Sequence, residues 1–192
     1  MADICINNLS KAYGENKVFT DYSVVIKENA TTVVTGKSGV GKTTLLNILS
    51  GIERMDEGTI TGIEGKSISM VFQENRLCEN LTARLNVEMV LRKGEKSREE
   101  LEELFSLCGL DFNDKRPVSE YSGGMKRRVA IIRALAFEAD LYLFDEPLKG
   151  LDEETYKNTL NLIKECIKGK TAVWVSHKPS EAEELGSEQL SL

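Results

Sequence analysis

The chain has 192 residues, 41% hydrophobic and 29% charged, with a net charge of −6, the composition of a globular protein with one substantial core. The acidic balance argues against a broad electrostatic grip on DNA or RNA and leaves only local basic patches such as Lys126-Arg127-Arg128. No apolar run approaches the roughly 18 residues that a membrane span needs, and Met1-Ala2-Asp3-Ile4 lacks the charged-then-apolar layout of a signal peptide.

From the N-terminus, Asp3 to Leu9 and Val18 to Lys27 read as antiparallel strands joined by a turn at Tyr13-Gly14-Glu15-Asn16. Thr31 to Thr35 reads as a buried strand that runs into a glycine-rich segment and an apolar helix carrying Leu45, Leu46, Ile48 and Leu49. Glu57-Gly58 marks a turn before a short strand at Thr59 to Ile63, and Ser67 to Phe72 is another strand, ending at Gln73. Residues 74–118 change character. Thr82 to Leu91 predicts a helix, residues 92–96 a solvated turn, and Ser97 with Glu100 a capping box that opens a helix with Leu101, Leu104, Phe105 and Cys108 on one stripe.

Alternation of strand and helix then resumes. A helix is expected from Gly123 to Ala136, a buried strand at Leu141 to Phe144, and a helix from Asp152 with Tyr156, Ile163 and Ile167 on one face. A further buried strand at Thr171 to Val175 precedes a final helix from Pro179. Alternating elements with wholly apolar strands imply a mostly parallel sheet covered on both faces. Cys5, Cys78, Cys108 and Cys166 form no C-x-x-C pair, so reduced, partly buried thiols are expected, with neither disulfide nor zinc.

Residues 36–43, Gly-Lys-Ser-Gly-Val-Gly-Lys-Thr, complete a G-x-x-x-x-G-K-[ST] run. Glycines let successive N–H groups turn inward onto phosphate oxygens, and the helix that follows adds the positive end of its dipole. Gly36, Lys37, Ser38, Gly39, Val40, Gly41, Lys42, Thr43 and Thr44 are therefore the candidate nucleotide cradle, with Lys42 on the terminal phosphates and the Thr43 hydroxyl on Mg²⁺. Leu141-Tyr142-Leu143-Phe144-Asp145-Glu146 supplies a second element: a buried strand delivering a carboxylate at its tip. Asp145 suits Mg²⁺, and Glu146 is placed to orient a water for attack on the γ-phosphate.

Tyr121-Ser122-Gly123-Gly124-Met125-Lys126-Arg127-Arg128-Val129-Ala130 resembles the signature motif of ATP-binding cassette (ABC) ATPases, although Ser-Gly-Gly alone reads equally as a helix cap. Other landmarks of that family follow in order. Tyr13 matches the aromatic residue that stacks on adenine, Gln73 the glutamine that senses Mg²⁺ and water, Asp152 the interface loop, and His177, the single histidine, the switch residue that bonds the γ-phosphate. Their structural alternatives are a turn tyrosine, a strand-end residue, a helix cap and a packed or surface histidine. Three departures stand out: Tyr121 replaces the usual leucine, Met125 the usual glutamine or glutamate, and Lys149-Gly150 the usual small or hydroxyl residues.

The resemblance covers the chain from Tyr13 to its last helix. It implies an α/β fold: a P-loop NTPase core with a mostly parallel sheet, an N-terminal antiparallel β-subdomain and an inserted helical lobe. Residues 1–192 would form one ATP-binding domain, with 1–73 and 119–192 as the core, 74–118 as the lobe and no C-terminal regulatory extension. It implies ATP and Mg²⁺ as cofactors, with Glu146, His177, Gln73 and Lys42 catalytic and Thr43, Gln73 and Asp145 at the metal. A second ATP-binding subunit, identical or a paralogue, would contribute Ser122, Gly123, Gly124 and Asp152 to the nucleotide held by the first.

The expected function is an ATPase that powers an ABC transporter, of a type loosely like nitrate, sulfonate or taurine importers. Transmembrane permease subunits and a substrate-capture protein are its partners, no nucleic acid is expected, and the place is the cytoplasmic face of the membrane. Leu77 and Leu81 are read either as lining a groove for a permease helix or as packed inside the lobe. Open alternatives are a lipoprotein-release or peptide-export cassette, a soluble ABC ATPase in translation or DNA repair, and a cassette that holds ATP without turnover; intact Glu146 and His177 argue against the last.

Overall fold

Alternating apolar residues build the first sheet of the computed structural model, which describes residues 2–92, 94–186 and 188–192. Strands β1 (Ile4–Tyr13) and β2 (Asn16–Ile26) pair antiparallel from Ile4–Ile26 to Tyr13–Asn16, and β4 (Glu57–Thr61) pairs on the other side of β1. Ile4, Ile6, Leu9, Phe19 and Ile26 are buried in the core; the period of two holds from Ile4 to Ile6, and a register shift before Leu9, with left-handed Asn8, returns Leu9 to the core.

The second sheet has the order β5-β6-β7-β3-β8, with β3 (Thr31–Thr35), β5 (Ile68–Val71), β6 (Leu141–Asp145), β7 (Thr171–Val175) and β8 (Glu188–Ser191). All five residues of β6 and all five of β7 are buried, as central parallel strands require. Val34 of β3 and Asp145 of β6 both pair with Val175 of β7, so the C-terminal ends of these three strands lie level. Helix α1 (Lys42–Leu49) presses Leu45, Leu46, Ile48 and Leu49 into the same core as Leu141, Leu143, Val173 and Val175. Trp174 is fully buried, with its ring centroid 5.0 Å from that of Phe144 and its indole N–H donating to Glu181 at 2.7 Å, in α6 (Pro179–Glu184).

Both sheets except Val71 at the end of β5, together with α1 and α6, belong to one compact unit, Met1–Met70 with Ala139–Asp145 and Gly169–Leu192. The second unit, Val71–Glu138 with Glu146–Lys168, is helical. It holds α2 (Ala83–Glu88), α3 (Arg98–Leu107), α4 (Gly123–Ala136) and α5 (Glu153–Cys166). Ser97 and Glu100 form the expected capping box at the start of α3. Phe105 meets Phe112 edge-on at 5.3 Å, and the Arg84 and Arg98 guanidiniums lie over the Phe112 ring. Asn86 is wholly buried: its amide oxygen accepts from the Cys78 N–H, and its NH₂ donates to the Cys78 and Thr82 carbonyls, which fixes the chain ahead of α2.

The layout agrees with the sequence in class and in most elements; Glu57-Gly58, read as a turn, instead opens β4, and further differences follow. Strand β8 was not anticipated, because four residues reading Glu-Gln-Leu-Ser carry too little apolar pattern; it forms by parallel pairing to β3. Helix α2 stops at Glu88, earlier than the apolar pattern to Leu91 suggests. Helices α4 and α5 group with α2 and α3 in the second unit, and Val129, Ile132, Leu160 and Ile163 on them are buried. Finally, all four cysteines are free as expected, but Cys78 is exposed; burial pushes the Cys108 thiol up to about 12. Met1 of the N-terminal segment and Lys93 of the solvated turn lie outside the described residues.

Candidate functional site

In the first unit the site grows from the level strand ends. The chain leaves β3 at Thr35 and turns through Gly36, Lys37, Ser38, Gly39 and Val40 before α1 begins, with Gly41 as its N-cap at φ 112°. A side chain at Gly41 is excluded twice over, since a Cβ would sit 2.5 Å from a methyl of Val18. Lys37, Ser38 and Gly39 are exposed, so the loop is open to solvent.

Lys42 is buried and folds back over this loop, its ammonium donating to the carbonyls of Gly36 and Lys37 at 2.8 Å each. The Thr43 hydroxyl donates to Oδ2 of Asp145 at 2.7 Å, which joins the start of α1 to the tip of β6. A hydroxyl and a buried carboxylate side by side form a hard-oxygen donor set, the chemistry that suits Mg²⁺. His177 is exposed two residues beyond β7, next in the sheet to β6. The adjacent Ser176 hydroxyl accepts from the Lys178 N–H at 2.8 Å and so shapes the turn. Tyr13 ends β1, is 47% exposed, has the Lys11 ammonium 5.2 Å from its ring centroid, and shares a side-chain hydrogen bond with Thr44.

The second unit carries Gln73, Ser122, Gly123, Gly124, Glu146 and Asp152. Ser122 caps α4 by accepting from the Met125 N–H at 3.2 Å, and Asp152 caps α5 by accepting from the Thr155 N–H at 3.0 Å. That bond is the first cause holding the Asp152 carboxyl below its ordinary value. Glu146 has left-handed backbone, φ 47°, and its Oε2 lies 2.6 Å from the Lys149 ammonium. Gln73 is exposed, while its carbonyl accepts from Arg127 at 3.3 Å.

Arg127 is the residue that sequence reading placed wrongly. The run Lys126-Arg127-Arg128 is no basic surface patch. Arg127 is buried, with its guanidinium on the carbonyls of Phe72, Gln73, Glu146 and Pro147. Lys126 pairs with Glu79, and Arg128 donates to the carbonyls of Gly124, Cys108 and Gly109. The signal was available: position 127 falls on the apolar stripe of α4 with Ala130, Ile131 and Ala134, where an arginine must find internal acceptors. The departure at Tyr121 also has a physical account. Its buried ring replaces leucine, and its hydroxyl donates to Asp114 at 3.0 Å.

Comparison with known proteins is consistent across sequence and structure. A family model described as ABC transporter matches residues 19–149. The taurine import ATP-binding protein of Pelagibacter ubique is 36% identical over 97% of this chain and 77% of its own. The sulfate/thiosulfate import ATP-binding protein of Synechocystis is 34% identical over 96% of this chain. The spermidine/putrescine import ATP-binding protein of Clostridium acetobutylicum is 35% identical over 92%. The chain spans little more than half the length of the latter two, 56% and 54%. Among solved structures, the dimeric cassette MJ0796, described as a bacterial ABC transporter cassette, superposes with a TM-score of 0.85 at 31% identity, over 98% of this chain and 94% of that one. A second structure of the same cassette, in a post-hydrolysis state with ADP and phosphate, gives 0.85 at 30%.

Proposed function

Since this chain belongs to the ABC transporter family, we propose that it binds and hydrolyses ATP as the power-supplying subunit of a membrane import system. The observation that carries this reading is the Thr43–Asp145 bond beside a phosphate loop over which Lys42 is already folded. Relatives described as import ATP-binding proteins favour transport over a soluble cassette in translation or DNA repair, and import over export. The taurine-type relative supports a small sulfonate-like cargo, the finest assignment that its 36% identity supports.

In this reading residues 1–192 act as one ATP-binding domain. Inward N–H groups of Gly36 to Thr44 hold the phosphates, Lys42 shifts its ammonium from loop carbonyls to the terminal phosphates, and Tyr13 stacks on adenine. Thr43 and Asp145 would hold Mg²⁺, with Gln73 as the expected sensor of the ion, and the bound ion would supply charge neutralisation at the phosphate oxygens. Glu146 orients and polarises the attacking water, and His177 bonds the γ-phosphate. Ser122, Gly123, Gly124 and Asp152 serve the nucleotide of a second cassette, identical or a paralogue, so that ATP closes the pair and hydrolysis reopens it. Leu77 and Leu81 are half-buried. Leu85 and Met89, one turn apart and exposed, extend that apolar surface toward a permease helix at the inner face of the membrane. A capture protein supplies cargo from the other side.

Glu146→Gln tests the reading. The variant is expected to keep ATP binding, stop phosphate release and accumulate as a nucleotide-bound dimer in gel filtration. Undiminished phosphate release removes Glu146 from its role.

A further inference from the structure

Arg127 does more than satisfy its own charge. One edge of its guanidinium reaches the segment after β5: one terminal nitrogen donates to the Phe72 carbonyl at 2.5 Å, to the Gln73 carbonyl at 3.3 Å and to the Asn75 side chain at 3.4 Å. Another edge reaches the segment after β6: the second terminal nitrogen donates to the Glu146 carbonyl at 2.7 Å, and Nε to the Pro147 carbonyl at 2.7 Å. A second arginine on α4 reinforces the first segment, Arg133 donating to the carbonyls of Arg76 at 2.7 Å and Asn75 at 3.1 Å. Both segments contain strained backbone, with left-handed φ at Arg76 (46°) and Glu146 (47°). Such conformations persist only where their surroundings over-determine them.

We infer that Arg127 is a positioning residue, whose planar fork locks the Gln73 and Glu146 segments to each other and to the helix that begins at Ser122. This rests on the reading of Glu146 and Gln73 as water- and metal-handling groups. A fork is required because the acceptors lie on two separate strands of backbone, one at each edge of a rigid plane. Lysine keeps the charge and fits the space, but it has one donor centre and reaches one segment at a time. The clamp thus converts two loops into a single body. A shift of either carboxylate or amide by about 1 Å is enough to cost a large factor in rate while leaving nucleotide affinity alone.

The test uses Arg127→Lys in the full chain, with two measurements. In steady-state ATP turnover, kcat falls at least tenfold while KM for ATP stays within twofold of wild type. In amide hydrogen exchange, residues 72–76 and 146–149 lose protection together, at least tenfold, while α5 keeps its own. Wild-type kcat with wild-type protection overturns the inference, as does a rise in KM at unchanged kcat or a loss confined to one segment. A general loss of protection through α4 and α5 assigns Arg127 to plain packing and overturns it equally. If the wild-type chain turns over no ATP, the proposed function fails, while the exchange measurement still decides the clamp.

Discussion

Thr43 donates its hydroxyl proton to Asp145 at 2.7 Å across 102 positions of sequence. The two groups read as magnesium ligands are therefore assembled by the fold, one at a helix start and one at a strand tip. Asp145→Asn keeps an acceptor for Thr43 and removes the negative charge. Chelating magnesium with EDTA is expected to weaken ATP binding at least tenfold in the wild type and less than twofold in the variant, measured by equilibrium dialysis. Equal sensitivity in both proteins contradicts the assignment.

Lys42→Ala takes a charged donor from the loop carbonyls of Gly36 and Lys37 and, in the proposed ATP complex, from the phosphates. A charge-assisted bond contributes about 1.5–3 kcal/mol, so ATP affinity is expected to fall about 10- to 100-fold. The fold, read by far-ultraviolet circular dichroism, should persist, because the exposed loop carbonyls can turn to water. An affinity within twofold of wild type removes Lys42 from the phosphates.

Gly41→Ala and Gly39→Ala separate steric from conformational cost. Both glycines have left-handed φ, 112° and 81°, but a Cβ at Gly41 meets Val18 at 2.5 Å and Phe19 at 2.9 Å, while one at Gly39 meets nothing within 4 Å. Gly39→Ala carries only the conformational penalty, about 1 kcal/mol. Gly41→Ala adds displacement of packed side chains and should lose about 2–4 kcal/mol in total. Urea denaturation ranks the two; equal losses show that the Val18 and Phe19 side chains yield freely.

Much of this is legible in the residues themselves. The glycine-rich loop, Asp145 and the Ser97–Glu100 box are local patterns in which each residue type answers a local demand: the loop lies between β3 and α1, Asp145 ends β6 and the box opens α3. Arg127 and β8 are of another kind. Burial of Arg127 depends on carbonyls contributed by residues 55 and 20 positions away, and β8 owes its existence to an open edge on β3. The α4 stripe signals that Arg127 turns inward, but which carbonyls receive it, like the pairing of β8, belongs to tertiary structure that no window of neighbouring sequence contains.

Asp114 gives the helical unit a defined acid response. Arg116, through its side chain and its N–H, is the main cause that brings this carboxyl down to about 2, with the Tyr121 hydroxyl adding to it. A depressed folded value stabilises the protein above the ordinary range near 3.8, and that contribution is lost as pH falls toward 2. Asp114→Asn removes the titration. The gap between wild-type and variant urea midpoints should be widest near pH 6 and should narrow between pH 4 and 2.5. A gap independent of pH shows that Asp114 acts through packing alone.

The single indole of the chain turns the fold into its own instrument. Trp174 lies fully buried three positions ahead of His177, and its neighbour Phe144 immediately precedes Asp145. Its N–H is fixed on Glu181, so the dipole of the chromophore has one orientation relative to the tips of β6 and β7. Unlabelled protein therefore carries one emitter near the ends of β6 and β7, with no second tryptophan to dilute the signal, and its emission offers a direct test of the proposed nucleotide binding.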